Sequence, residues 1–412
     1  MDAPEPELFG LVIGGCETPL WHVPPHERAL RLLGQLGIAR QRVRFDENPE
    51  AAEWPASSRV LIIRVDWLYE PRTLAPLLQS DGSVLLCAAD NRACAACGPS
   101  DRLDVLAEAV ADRASPSALG DDCTVLRAGD LTRADARLRR ATPPLLAAVT
   151  PQRAAQLEAE LYGNAYKGVT DLVTKWLWPR PSAWLVRRCA ALGLSPNQVT
   201  LISLLLVILA GVLFARGQFT AGLLAGWVMT LLDTVDGKLA RVTLQSSRIG
   251  GHFDHGIDLI HPPFWYLAWA LGLAGASLLP DALSVTDAAL WIFIPYIVGR
   301  LSEGIYGWTI GGTMFLYRPF DSWFRLIMAR RNPALILLTG ALLIGRPDLG
   351  LLAVIGWSLI SVAVQVGRLL AALIGWARSH QRPTAWLTEP SAEQRYPRSF
   401  ATFAATRGAF RR

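Results

Sequence analysis

Four aspartates set beside long apolar runs, Asp233, Asp236, Asp254 and Asp258, constrain this chain more than any other feature. A charged side chain at membrane depth is costly enough that an intramembrane acid is a functional candidate by default. Four close together repel one another unless cations neutralise them. Asp233 and Asp236 are i,i+3 on one helix, and Asp254 and Asp258 are i,i+4 on the next. A hairpin of two helices can therefore aim all four at one spot. Carboxylate oxygens without cysteine suit hard ions, Mg²⁺ or Mn²⁺. Gly237, Ala240 and Gly250 keep the surrounding wall open, and Arg241 offers a planar fork for a phosphate. A polyphosphate bridged by metal ions accounts for the whole set. Ordinary helix-end charges leave the fixed offsets unexplained. A cation transporter with an acidic intramembrane site explains the carboxylates but not Gly237, Ala240, Arg241 and Gly250. A catalytically dead ligand sensor has no need of intact carboxylates.

Hydrophobic residues make up 51 % of the 412, and the excess is concentrated after residue 196. A soluble N-terminal part followed by a membrane part is the expected order. The start, Met1 to Glu7, is acidic and lacks a basic leader, so no signal peptide is predicted. Six apolar segments are expected as spans, near 197–216, 220–240, 257–280, 286–308, 333–345 and 350–377. With the N-terminus inside, the inner loops and tail collect most of the arginines, and the outer loops hold only Arg216 and Arg346. That asymmetry predicts an integral membrane protein with both termini cytoplasmic. The net charge of +5 is modest and its basic residues sit mainly in loops and the tail, which points to membrane orientation more than to nucleic acid.

The segment Asp233-Thr-Val-Asp236-Gly237-Lys-Leu-Ala240-Arg241, followed by Gly250, Asp254 and Asp258, resembles the signature of the CDP-alcohol phosphotransferase family at every fixed position. The resemblance implies a six-helix membrane enzyme that moves a phospho-alcohol group from a CDP-alcohol to an acceptor hydroxyl and releases CMP. It implies that Asp233, Asp236 and Asp254 bind two divalent ions. Asp258 would close the metal site and accept the hydroxyl proton. Gly237, Ala240, Arg241 and Gly250 would face the CDP moiety. Pro196-Asn197-x-x-Thr200 resembles the family's approach to the nucleotide pocket, which adds Asn197 and Thr200; helix capping explains the same residues equally well. In members with phosphorylated acceptors, arginines of the later spans line the acceptor pocket. Here the candidates are Arg368, Arg325, Arg330 and Arg331. Arg300 and Glu303 are expected to pair with each other. The partners implied are a CDP-alcohol donor, a polyol-phosphate or lipid acceptor, membrane lipids and a second copy of the chain in a homodimer.

Residues 1–150 read as an α/β domain. Strands are expected at 8–13, 42–45, 58–65 and 83–88, with helices at 25–36 and 71–79, and the alternation suggests a parallel sheet. Gly14, Gly15 and Asp66 then fall at strand carboxyl ends, where such sheets bind ligands. The layout resembles a sugar-phosphate nucleotidyltransferase, with Gly14-Gly15 as nucleotide loop and Asp66 as metal aspartate. It departs from that family after Gly15, where Cys16-Glu17-Thr18-Pro19-Leu20 replaces the expected basic loop. The reading is a degenerate or regulatory domain, with a bifunctional cytidylyltransferase as the alternative. Cys94 and Cys97 form a CxxC pair without the second ligand pair that zinc needs, so reduced thiols are expected. Residues 151–196 read as a linker with an interfacial amphipathic helix rich in Trp and Arg, and 378–412 as a basic tail. Fusions of a nucleotidyltransferase to this membrane family have a junction similar to Lys167-x3-Asp171.

Overall fold

The computed structural model describes residues 7–45, 54–55, 58–112, 122–246 and 248–404; the side chains of residues 248–249 and 252–254 lie outside the description. The chain divides into two compact units. One takes in residues 1–133, 142–162 and 242–245, the other residues 134–141, 163–241 and 246–412.

The first unit carries strands β1 (Leu8–Ile13), β2 (Val43–Phe45), β3 (Arg59–Arg64), β4 (Trp67–Tyr69), β5 (Ser83–Cys87), β6 (Ala93–Pro99) and β7 (Cys123–Arg127), with helices α1 (Pro25–Gln35), α2 (Pro71–Leu78) and α3 (Leu103–Val110). Six strands form one sheet in the order β2-β1-β3-β6-β5-β7. The sheet is mixed, not parallel as the alternation suggested. β1 runs parallel to β2 and β3, and β5 parallel to β7, but β6 is antiparallel to both β3 and β5. The reason is the connection from β5 to β6, only residues 88–92, which turns a hairpin and is too short for a crossover. Both faces are covered: Leu61, Ile63, Leu86 and Leu74 pack on one side, Ile62, Leu85, Leu106 and Val110 on the other. Cys94 and Cys97 are buried in β6 as free thiols. Burial pushes both thiols up, which keeps them protonated.

At the carboxyl ends of β1 and β3, Gly14 has a φ of +83°, and a Cβ placed there would lie 3.7 Å from the Asp66 carboxylate. Asp66 is taken by Arg64, whose Nε and Nη2 each donate at 2.9 Å. The nearby cavity, lined by Cys16, Arg28, Arg64 and Tyr69, holds only about 20 Å³.

The second unit is helical apart from a small hairpin, β8 (Ala134–Asp135) and β9 (Arg140–Ala141). β10 (Leu146–Ala148), which belongs to the first unit, pairs with β4 of that same unit. The linker forms α4 (Ala154–Asn164), a π-helical turn (Val173–Leu177) and α5 (Pro179–Ala191). Trp176, Leu177 and Trp184 are exposed there, as an interfacial helix requires. Then come α6 (Pro196–Ala215), α7 (Phe219–Val242), α8 (Arg248–Gly275), α9 (Val285–Thr309), α10 (Pro319–Ile327), α11 (Arg331–Leu343) and α12 (Pro347–Ser379). α6 starts at a Ser195–Gln198 capping box with Pro196 in its first turn, so the local sequence dictates the entry.

Among the described residues, α6, α9 and α12 are long and apolar enough to cross a membrane, and α10 with α11, bent by 43°, make a fourth span if taken together. The chain is an integral membrane protein. α7 and α8 have the length, 24 and 28 residues, but carry the aspartates. The third helix begins at Arg248 rather than at 257, so the second half of the motif lies inside it. Pro262 and Pro263 are accommodated within the same helix.

The expected basic tail is folded in its described part. α12 runs to Ser379, and beyond it α13 (Ala392–Arg395) and α14 (Pro397–Phe403) follow a turn at Trp386–Thr388. Trp386 and Phe403 are fully buried in a cluster with Val169, Phe315 and Leu369.

Candidate active site

A cavity of about 240 Å³ lies within the second unit, and the residues that line it come from six stretches of chain. α7 and α8 form its acidic wall. Asp233 sits on α7 and Asp258 on α8, and both line the cavity. Arg331, the first residue of α11, bridges them: Nη2 donates to Asp233 Oδ2 at 2.6 Å and Nη1 to Asp258 Oδ1 at 2.5 Å. Two carboxylates on different helices thus converge on one guanidinium. Their charges also face the amino-terminal end of α11, which favours anions.

Asp236 lies one turn on along α7 and is buried. The Thr200 hydroxyl, from α6, donates to its Oδ2 at 2.6 Å. Thr200 therefore holds a motif aspartate rather than lining the cavity, while Asn197 is exposed on the first turn of α6. The side chain of Asp254 lies outside the described residues. Among the described residues no group of three His, Cys, Asp or Glu is close enough to hold a metal ion. The donor set still has the right chemistry for a hard cation, since Asp233 and Asp258 present carboxylate oxygens to a common point.

Gly237 has a specific purpose. A Cβ there would come within 3.1 Å of Arg241 Nη2, so the glycine lets that guanidinium lie back along α7. Arg241 donates from Nε to the Ala165 carbonyl at 2.9 Å and lines the cavity. Ala240 and Gly250 are half-buried and are not among the lining residues.

The rest of the lining is rich in basic residues. Arg139, Arg325 and Arg330 place their guanidinium carbons 5.5, 5.3 and 5.4 Å from the centre of the Phe315 ring. Arg330 is neutralised by Glu303 of α9 through a contact of 2.5 Å, and Arg300 pairs with the same carboxylate at 3.3 Å, as its i,i+3 spacing suggested. Gln365 of α12 also donates to Glu303, at 3.1 Å. Arg325 is buried, and its Nε and Nη1 have no hydrogen-bond partner among the described residues. Burial and the neighbouring Arg330 draw the Arg139 guanidinium down to about 10, so it stays charged at neutral pH.

Arg368 stands elsewhere. It forms a two-pronged pair with Asp321 of α10, at 2.6 and 2.8 Å, and does not line the cavity. Asp321 is 6 % exposed and needs a cation, which decides the partner. Arg325, Arg330 and Arg331 do line it.

Sequence reasoning missed Arg139 and Asp171. Asp171 lines the cavity and is saturated: the backbone N–H groups of Val173 and Thr174, the Thr174 hydroxyl and Asn332 Nδ2 donate to it at 2.8–3.1 Å. It fastens the linker to α11 beside Arg331. The Lys167-x3-Asp171 spacing was the available signal. Arg139 had none.

Residues 193–311 match the model of the CDP-alcohol phosphatidyltransferase family. Over 94 residues the chain is 36 % identical to an archaetidylinositol phosphate synthase of Pyrococcus horikoshii, covering 23 % of this chain and 50 % of that protein. It is 34 % identical over 140 residues to cholinephosphotransferase 1 of Gallus gallus, covering 31 % and 40 %. A bifunctional IPC transferase and DIPP synthase of Thermococcus kodakarensis is 30 % identical over 142 residues, covering 31 % and 32 %. The chain spans half or less of the length of these relatives. The matched family segment begins after the α/β unit.

Proposed function

We propose, from the match of residues 193–311 to the model of the CDP-alcohol phosphatidyltransferase family, that the chain transfers a phospho-alcohol group from a CDP-alcohol to an acceptor hydroxyl, releasing CMP. The observation that carries this reading is the convergence of Asp233 and Asp258 from two helices at the wall of a cavity that is also lined by arginines. Asp233, Asp236, Asp254 and Asp258 would hold two Mg²⁺ or Mn²⁺ ions. Such ions would neutralise the donor diphosphate and stabilise departing CMP. Arg241, held along α7, adds positive charge for the diphosphate. Asp258 takes the proton from the acceptor hydroxyl; that oxygen then attacks the β-phosphorus, and the bond to CMP breaks. Thr200 fixes one rotamer of Asp236.

The basic wall favours an acceptor that carries a phosphate, such as a polyol phosphate. An uncharged lipid alcohol would leave Arg325 buried without an anion, at substantial cost. The relatives named above act on different alcohols, so the charges of this cavity are the better guide to the acceptor.

Purified protein incubated with a panel of CDP-alcohols, polyol phosphates and Mg²⁺ tests the reading. CMP release with a matching condensed product by mass spectrometry is expected. Absence of CMP with every donor would refute it. The domains we propose are 1–150, 151–196, 197–377 and 378–412, with six spans in the third counting α7, α8 and the bent α10–α11 pair. Cytoplasmic reporters at both ends, and an opposite one at 281–286, check this topology. For the α/β unit, the engagement of Asp66 by Arg64 and the small neighbouring cavity support a degenerate or regulatory part over a second active site.

A further inference from the structure

Arg139 reaches the cavity from outside the family-matched segment, on a hairpin too short to hold itself. β8 and β9 have two residues each, joined by a tight turn in which Arg139 takes a φ of +50°. A non-glycine residue in the left-handed region persists only where its surroundings enforce it. Three contacts do so. Gly168 N and Val169 N donate to the carbonyls of Leu138 and Arg139, at 2.8 and 3.2 Å. Ala141 N donates to the carbonyl of Ala404, the last described residue of the tail, at 3.1 Å. Gly168 is the junction: a Cβ there would fall 2.1 Å from the Phe403 carbonyl oxygen and 2.4 Å from that of Arg139. Only glycine lets the hairpin, the linker and the tail meet.

The same tail supports the ring that the arginines share. Trp386 Nε1 donates to the Ser322 hydroxyl at 3.0 Å, and that hydroxyl donates to the Phe315 carbonyl at 2.7 Å. The tail thus holds the hairpin that bears Arg139 on one side and the turn that bears Phe315 on the other. Between them stands Arg325, buried, with two donor groups unpartnered among the described residues and the cavity in front of it. Glu303 is occupied by Arg330, Arg300 and Gln365. Asp171 is saturated by its own turn and Asn332. Both carboxylates are engaged by other donors, and among the described residues neither forms an ion pair with Arg139 or Arg325.

We propose that Arg139, which lies outside the family-matched segment, is a further ligand for the acceptor's phosphate beside Arg325, and that the folded C-terminal segment, by locking the 134–141 hairpin, sets it in place. The proposal rests on the transferase reading only for the identity of the ligand as the acceptor. The anion site itself stands on the cluster. Arg139 is a binding residue; Gly168, Trp386 and Phe403 are positioning residues.

The test uses the full chain in detergent and inorganic phosphate as probe, with melting temperature as readout. Phosphate should raise the Tm of the unaltered protein. Arg139→Gln should lose most of that rise, and Arg139→Lys should recover part of it. Trp386→Phe, which keeps the ring but removes the donor to Ser322, should weaken the rise while touching no ligand. Glycerol 3-phosphate, and separately phosphatidate in mixed micelles, distinguish a soluble from a lipid-borne phosphate, and a rise with either fits. In turnover assays Arg139→Gln should raise the acceptor KM about tenfold, the effect of one charge-assisted hydrogen bond, with the donor KM unchanged. An equal phosphate-induced rise in Arg139→Gln and the unaltered protein overturns the proposal, as does no rise with any of the three probes. If phosphate binding depends on Arg139 but no CDP-alcohol yields CMP, the transferase reading fails and the anion site stands.

Discussion

The acidic wall of the cavity comes from two consecutive helices, and its motif aspartates fall between Asp233 and Asp258. The basic wall draws Arg139 from a hairpin, Arg325 from α10 and Arg330 from the break before α11. One wall is written as a compact motif because helical spacing and the short connection from α7 to α8 keep its residues close in sequence. The other is assembled by tertiary packing, so its members carry no common spacing. The contrast extends to charge. Asp233 and Asp258 share Arg331 across the helices, whereas among the described residues neither Arg139 nor Arg325 forms an ion pair with a carboxylate.

The largest expected effect falls on the acidic wall. Asp233→Asn, Asp236→Asn or Asp258→Asn should each reduce CMP release to background at saturating donor and acceptor. Excess chelator should do the same to the unaltered enzyme, and full activity in chelator would break the metal reading. Next, Arg368→Gln should leave the acceptor KM unchanged but lower stability by about 1–3 kcal/mol, because Asp321 is left buried without its cation. A raised acceptor KM in a stable Arg368→Gln variant would return that arginine to the basic wall. Thr200→Val should slow turnover through Asp236 without altering the acceptor KM, since it removes one hydrogen bond to a charged oxygen. The smallest effect is expected in the α/β unit. Asp66→Ala should leave transfer unchanged, and the unit should release no pyrophosphate from CTP and polyol phosphates.

How much was legible follows from the same physics. Four strands, β1, β2, β3 and β5, and the helices α1 and α2 stand where apolar runs and turn residues put them, because each is a local pattern; β4, β6, β7 and α3 were not read. Sheet direction at β6 was not legible from alternation, since its antiparallel pairing depends on the short 88–92 connection. Of the aspartate motif, Asp233 and Asp258 meet on Arg331, Asp236 is buried against Thr200, and the side chain of Asp254 lies outside the described residues. Thr200 could not be read as a support for Asp236, because that contact crosses from α6 to α7. Arg368 drew attention as a buried cation, and only packing reveals that Asp321 answers it. The tail looked like dispersed positive charge; Trp386 and Phe403, which fold it against the membrane unit, are isolated in sequence and show no period.

The most direct test of the two-wall account is CMP release over a full grid of donor and acceptor concentrations, in the unaltered enzyme and in Arg325→Gln. The account predicts an acceptor KM raised by about tenfold or more, in keeping with loss of a charge-assisted contact, with the donor KM unchanged. A donor KM that rises in parallel, or an acceptor KM that does not move in a folded variant, would contradict it.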